Sequence, residues 1–313
     1  MLNHMGLDSN NVECTPLVTI GLPTFNRAPK LKRAIETVLG QTYQNLELVI
    51  SDNASTDGTQ QLCEEFSRRD KRVKYFRQPT NHGAVANFRA VLDYARGEFF
   101  MWLGDDDWLD PGYVGECLSV LIKHPDHQLV CGRGRYFQMD TLSHDESVLN
   151  LTEETGSLRV LSYFRQVAGN AALYGIVRHE VISSLKLRDV MGTDWLVIAD
   201  LAFLGKVRTL ESVFINRASG GVSGSAETLV HNHGLPGFAS RNPFLFIAFT
   251  VFSDIAWKSP IYEPLGKLNR LRLGWQAAYT IGMRFFLPSW GIRTRIKKTV
   301  ADALSKEPKP FRS

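Results

Sequence analysis

Three consecutive carboxylates, Asp105-Asp106-Asp107, follow the apolar run Phe99 to Leu103 and precede Trp108-Leu109. Carboxylates this close repel one another unless a cation or hydrogen bonds offset the charge. A hard divalent ion, Mg²⁺ or Mn²⁺, sharing phosphate oxygens as further ligands would do so; a solvated acidic turn ahead of the helix after Pro111 is the competing explanation. Asp52 ends a second apolar run, Leu46 to Ile50. There a carboxylate could accept the imide N–H of uracil or thymine or contact a ribose hydroxyl, or serve only as a turn residue. Thr24, Asn26 and Arg27 follow a third run that closes on Pro23, placed either to touch a base and phosphates or to shape a loop. Asp194 opens the apolar segment DWLVIADLAFL, where it is an N-cap or a general base.

These groups need elements that bring them together. LVTIGL (17–22), LELVI (46–50), VKYF (73–76) and FFMWL (99–103) read as strands. Between them Leu31 to Leu39, Leu62 to Phe66 and Ala84 to Ala95 carry apolar residues at helical spacing. The alternation predicts right-handed βαβ crossovers and an α/β domain with a mainly parallel sheet flanked by helices. Ligands of such sheets bind beyond the carboxyl ends of the strands, where the polar clusters fall. Further on, a helix is expected from Pro111 to Ile122, a strand near Leu129 to Phe137, a polar loop and a mixed stretch to Val181, a helix from Asp194 to Leu204 capped by Thr193 or Asp194, and a strand from Val207 to Ile215. Helical spacing returns from Asn242 to Trp257 and from Leu265 to Phe286.

With 44% hydrophobic, 22% charged and 11% aromatic residues, the 313-residue chain has the composition of a folded globular protein. A net charge of +4 is too small for a nucleic-acid coat. It divides unevenly: residues 284–313 carry +6 and residues 1–283 carry −2. In that tail Trp290, Ile292, Ile296, Val300 and Leu304 interleave with Arg293, Arg295, Lys297 and Lys298, the pattern of a basic amphipathic helix suited to an anionic membrane. Cys14, Cys63, Cys117 and Cys131 make no C-x-x-C and are expected to be reduced core fillers. The first fifteen residues lack the basic start and apolar run of a signal peptide, so a cytoplasmic location, peripheral to the inner membrane face, is expected. No G-x-G-x-x-G follows the first strand, and neither G-x-x-x-x-G-K-[ST] nor G-x-S-x-G occurs, which leaves dinucleotide oxidoreduction, P-loop hydrolysis and serine hydrolysis without their residues. Gly220 to Gly224 lacks a P-loop lysine, and His231 with His233 lacks a third metal ligand.

Residues 16–220 resemble the inverting glycosyltransferases of family 2, which have the GT-A fold. The resemblance rests on VTIGLPTFNRAPKLKRAIETVLGQTYQNLELVISDNASTDGT, RVKYFRQPTNHGAVANFRAVLDYARGEFFMWLGDDDWLDP and, more weakly, TDWLVIADLAFLGKV. The LGDDDWL form looks most like bacterial O-antigen and capsule sugar transferases of the abequosyltransferase type. The resemblance implies that Pro23, Thr24, Asn26 and Arg27 surround the nucleotide base, that Asp52 with Asn53 binds uracil, and that Asp105 to Asp107 overlie the DxD region. Many members have Asp where this chain has Gly104, so the ribose contact passes to Asp105 or is lost, and Asp106 is the expected principal metal ligand with Asp107 the second. Asp194 matches the catalytic base, although the usual preceding Glu is Thr193. The resemblance further implies a GT-A domain over 16–225, with a nucleotide half (16–110) and an acceptor half (111–225), between a flexible N-terminus (1–15) and a helical extension (226–283) that leads into the tail. The implied activity is metal-dependent transfer of one sugar from a nucleoside diphosphate sugar, UDP favoured and TDP or CDP as alternatives, to a glycan or polyprenyl-linked acceptor. The rival classes are a nucleotidyltransferase and a non-catalytic nucleotide-sugar-binding module.

Overall fold

The computed structural model describes residues 15–138, 140–218 and 242–286. The glycine-rich segment, His231, His233, Cys14 and all but the first residues of the basic tail lie outside them.

Three β-α units and a fourth strand come first: β1 (Val18–Thr24), α1 (Ala28–Leu39), β2 (Leu46–Asp52), α2 (Thr59–Arg69), β3 (Val73–Arg77), α3 (Ala84–Asp93) and β4 (Phe99–Trp102). Every residue of β1, β2 and β4 is buried, as strands covered on both faces by helices must be. Pro29 in the first turn of α1 fits a helix start, and Leu31, Ala34, Ile35 and Val38 form its buried stripe. The pairs β1–β2, β2–β3 and β1–β4 are all parallel. Thr24 therefore stands beside Asp52, Asp52 beside Arg77, and Gly21 beside Trp102, which sets the strand ends along one edge.

The chain then forms β5 (Trp108–Leu109), α4 (Tyr113–Lys123), β6 (His127–Gln138), β7 (Thr141–Asp145), α5 (Gly156–Gln166), β8 (Ile176–Arg178), α6 (His179–Ser184), α7 (Thr193–Leu204) and β9 (Lys206–Ala218). The nine strands make one sheet in the order β3-β2-β1-β4-β8-β6-β9-β5, with β7 paired to β6. β8 runs antiparallel to β4 and β6, joining the parallel half to the long parallel pair β6–β9. The expected polar loop contains β7, and the expected mixed stretch contains α5 and β8. α7 is buried almost all round, from Leu196 to Ala202, and forms a core helix.

Beyond the sheet lie α8 (Pro243–Ser253), continued by a π-turn over Asp254–Lys258, then a 3₁₀ turn over Pro260–Leu265 and α9 (Gly266–Ile281). Ile247, Val251, Ile255, Leu273, Ala277 and Ile281 join the same apolar core as the sheet. An ion pair of Arg188 Nη1 with buried Asp254 Oδ1 at 2.6 Å ties the extension to the loop before α7. Arg284, the first residue of the basic tail, donates to the carbonyls of Phe164 and Gln166. Cys63, Cys117 and Cys131 are free and buried, as core fillers should be. Among the described residues no single helix is long and apolar enough to cross a membrane.

Candidate active site

Two loops meet at the ends of β1 and β2. Asn26 and Ala54 both take left-handed backbone, φ +54° and +63°. For alanine this conformation costs roughly 1–2 kcal/mol, so the loop is held by its contacts. Asn26 N–H donates to Ser55 Oγ at 2.9 Å and its Oδ1 accepts from Thr56 N–H at 2.8 Å. Asp57 accepts from the N–H groups of Thr59 and Ala28 and so joins the starts of α2 and α1. Asp52 is fully buried: Oδ1 accepts from Ser55 N–H and Oδ2 from Tyr75 Oη, both at 2.8 Å. Each oxygen keeps a further lone pair for a donor. Asn53 secures the turn before α3, donating to Asn81 Oδ1 and Gly83 O and accepting from His82 N–H.

The three aspartates after β4 have different surroundings. Asp105 Oδ2 accepts from Thr24 Oγ1 at 2.9 Å, and Arg27 Nε stands 3.9 Å from Oδ1. Burial pushes its carboxyl up to about 6 against the Thr24 hydrogen bond; Asp106 adds to the rise and Arg27 opposes it. Asp107 is 2% exposed and meets Arg217 Nε at 3.3 Å and Ala218 N–H at 3.2 Å. Burial lifts it to about 6 despite Arg217. Asp106 alone has a buried oxygen, Oδ2, without a hydrogen-bond donor; Lys30 Nζ lies 3.7 Å away. Such an oxygen suits a divalent cation, so these residues fit one, with Asp106 at the centre. Asp107, expected as second ligand, is already committed to Arg217. At Gly104 a Cβ would lie 2.7 Å from Asp107 Oδ2, so a larger residue there would push on the Asp107 carboxylate.

Asp194 belongs to the first turn of α7, but the N-cap is Gly192, whose φ of +89° suits glycine. The expected cap by Thr193 or Asp194 is thus corrected: Thr193 Oγ1 donates instead to the carbonyls of Arg188 and Val190. Asp194 Oδ2 accepts from Asn170 Nδ2 at 2.8 Å. Burial raises its carboxyl above the ordinary range, opposed by the Asn170 hydrogen bond, by backbone N–H groups and by the charge of Arg217. Arg217 faces both sides of the site. It contacts Asp107, donates to Tyr136 Oη at 3.1 Å and sits 4.8 Å over the Tyr174 ring. Tyr174, buried, lies in the field of Arg217, Asp107, Asp106 and Asp194. Arg217, Tyr136, Tyr174 and Asn170 carry no local sequence signal, because they come from β9, β6 and the turn after α5.

A separate group, His124, Asp126 and His127, has ligand atoms within 4.8 Å of one another. It stands where β6 and β9 begin, at the opposite end of β9 from Arg217, and Asp126 is engaged by Lys206 Nζ at 2.9 Å and His127 Nδ1 at 3.0 Å. It is no part of the aspartate site.

The parallel first half, the mixed second half and an aspartate cluster beyond β4 make a GT-A fold. Solved structures with that fold include Staphylococcus aureus TarS 1–349 in complex with UDP, 16% identical with a TM-score of 0.55, covering 81% of this chain and 71% of that one. Another is the mannosyltransferase PcManGT from Pyrobaculum calidifontis in complex with GDP-Man and Mn²⁺, 16% identical with a TM-score of 0.52, covering 93% and 81%. Residues 19–184 match the model of Glycosyl transferase family 2, and the chain belongs to that family of glycosyltransferases. Among curated relatives, the GalNAc(5)-diNAcBac-PP-undecaprenol beta-1,3-glucosyltransferase of Campylobacter jejuni is 38% identical over 109 residues. The match spans 34% of each chain, so only about a third of that enzyme's length is shared.

Proposed function

We propose that the chain transfers one sugar, with inversion, from a nucleoside diphosphate sugar to a hydroxyl of a glycan or polyprenyl-linked acceptor in bacterial surface polysaccharide synthesis. The orphaned buried oxygen of Asp106 carries this reading, since it calls for a cation at the edge of a nucleotide-binding sheet. Mg²⁺ or Mn²⁺ held there, chiefly by Asp106, would supply Lewis-acid stabilisation of the departing diphosphate. Asp52 accepts an imide N–H of the base, which favours UDP, with TDP next and CDP through its exocyclic amine. Pro23, Thr24, Asn26, Arg27 and Asn53 shape the base pocket, and Asp105 contacts the ribose. Asp107, paired with Arg217, steadies the metal side of the site. Asp194 takes the proton of the attacking hydroxyl; burial raises its pKa, which makes the carboxylate a stronger base than an ordinary one.

The test is a screen of nucleotide sugars, with Mn²⁺ or with a chelator, for diphosphate release. Transfer releases the nucleoside diphosphate; a nucleotidyltransferase would release pyrophosphate and a binding module nothing. Asp106→Ala abolishes metal-dependent donor binding by calorimetry. Wild-type affinity with metal in that variant would remove Asp106 from the role.

A further inference from the structure

Fourteen large apolar side chains stand exposed among the described residues, and eight of them fall between 242 and 286, under a fifth of those residues. On α9 they form a stripe: Leu268 is 79% exposed, Leu271 43%, Trp275 65% and Tyr279 59%. These positions recur along one helical face, while Leu273, Ala277 and Ile281 on the other face are buried in the core. α9 is therefore apolar on two sides, and its fold uses only one. On α8, Leu245 and Phe249 repeat the arrangement at i, i+4, opposite buried Ile247 and Val251.

The surrounding charge limits what can cover this face. Lys258, Lys267 and Arg272 are exposed in the same segment against a single exposed acid, Glu263. Past Phe286 the sequence continues with a net charge of +5 over residues 287–313. A second copy docking by this face would bring like charges together, whereas an apolar layer bounded by negative headgroups matches both features. Trp and Tyr flanked by cations are the side chains that settle at a lipid–water boundary.

We propose that the outer face of α8 and α9 docks this protein on an anionic phospholipid bilayer, lying in the plane of the interface. The pair Pro243–Lys258 and Pro260–Phe285 is together long and apolar enough to suggest a span, but it is bent by 66°. Its inner stripes form part of the domain core, and Asp254 within it is 1% exposed and paired with Arg188. Crossing the bilayer would extract those groups; lying on it buries only the side chains already facing outward. A groove of about 650 Å³ between α5 and α9 shares Tyr279 and Met283 with this face and carries exposed Arg165, a cation beside apolar walls where a lipid phosphate fits. The proposal goes beyond sugar transfer and does not depend on it.

The experiment is co-sedimentation of the full chain with phosphatidylcholine vesicles, with and without about one third phosphatidylglycerol, at low and high salt. The chain pellets with the anionic vesicles and is partly released by salt. Leu268→Glu/Trp275→Glu weakens binding by roughly tenfold or more, Lys267→Glu/Arg272→Glu weakens it on anionic vesicles only, and a chain ending at Phe286 keeps the dependence on Trp275. Thermal melting confirms folding, and Leu271→Gln/Tyr279→Gln serves as the milder pair. The proposal fails if the wild type ignores anionic vesicles, if the Glu and Gln pairs bind as the wild type does, or if light scattering shows a dimer that Leu268→Glu/Trp275→Glu dissociates without vesicle binding.

Discussion

Replacing Asp194 by Asn separates its chemistry from its place in the fold. The amide is isosteric, and its oxygen can still accept the 2.8 Å hydrogen bond from Asn170 Nδ2, so the helix start and its neighbours are kept. Burial raises the Asp194 pKa in the folded state, so the native protein holds this proton more tightly than the unfolded chain does. Stability on this account is greatest at low pH and falls as pH rises through the folded pKa. Above the folded pKa the carboxylate is thus a burden on folding, and there the Asn variant melts at the same temperature or higher. Its kcat falls by about 10²–10⁴, a barrier increase of about 3–5 kcal/mol, while donor affinity is nearly unchanged. In the wild type the acidic limb of kcat/KM lies above the usual carboxylate range. Asn170→Ala, which removes a hydrogen bond favouring the ionised form, moves that limb higher still. Diphosphate release across pH, calorimetry with the donor and thermal melting supply the three readouts. Turnover of Asp194→Asn within about threefold of wild type would refute the role, the usual loss being at least a hundredfold.

Other consequences are local. Asp200 and Asp254, buried together near one Arg188, are pushed to about 7 and about 6 by burial, Asp200 also by the charge of Asp254. Their folded pKa values exceed the unfolded one, so stability declines as pH rises through 6 to 7, and Asp200→Asn flattens that decline in denaturation curves taken at several pH values. Arg217→Met leaves Asp107 buried without its cation and costs about 3–5 kcal/mol of stability by chemical denaturation. Gly104→Asp, whose Cβ would crowd Asp107 Oδ2, displaces Asp107 from Arg217 and lowers both melting temperature and metal-dependent donor binding.

The first half was legible in the sequence because β1, β2 and β4 are buried on both faces and read as largely apolar runs ending in polar clusters. The sites at Thr24, Asp52 and Asp105 to Asp107 follow from those ends. The second half was harder. β8 has three residues and lies between strands far away in sequence, and β7 is exposed along its whole length, so neither carries a periodic signal. The division of labour within the aspartate triplet was hidden for another reason: Arg217 is 110 residues from Asp107 and reaches it only when β9 folds alongside β5. Asn170 lies 24 residues before Asp194, in the turn after α5, and no local pattern marks it as the partner of that carboxylate.

β6 and β9 keep a parallel register up to Gly132 and Leu210, and the next pair is Arg133 with Phe214. One step along β6 is matched there by four along β9. Side chains alternate between faces at every step, so the number of residues in this excursion decides the parity of all that follows. Asn216 reaches Asp110 and its successor Arg217 reaches Asp107. Adding one residue between 211 and 213 would put Asn216 in the place of Arg217 and leave an amide opposite Asp107, deleting one would put Ala218 there, and either change would turn the guanidinium to the other face. A length change in an outlying stretch of strand would then disable the aspartate site without altering any of its residues.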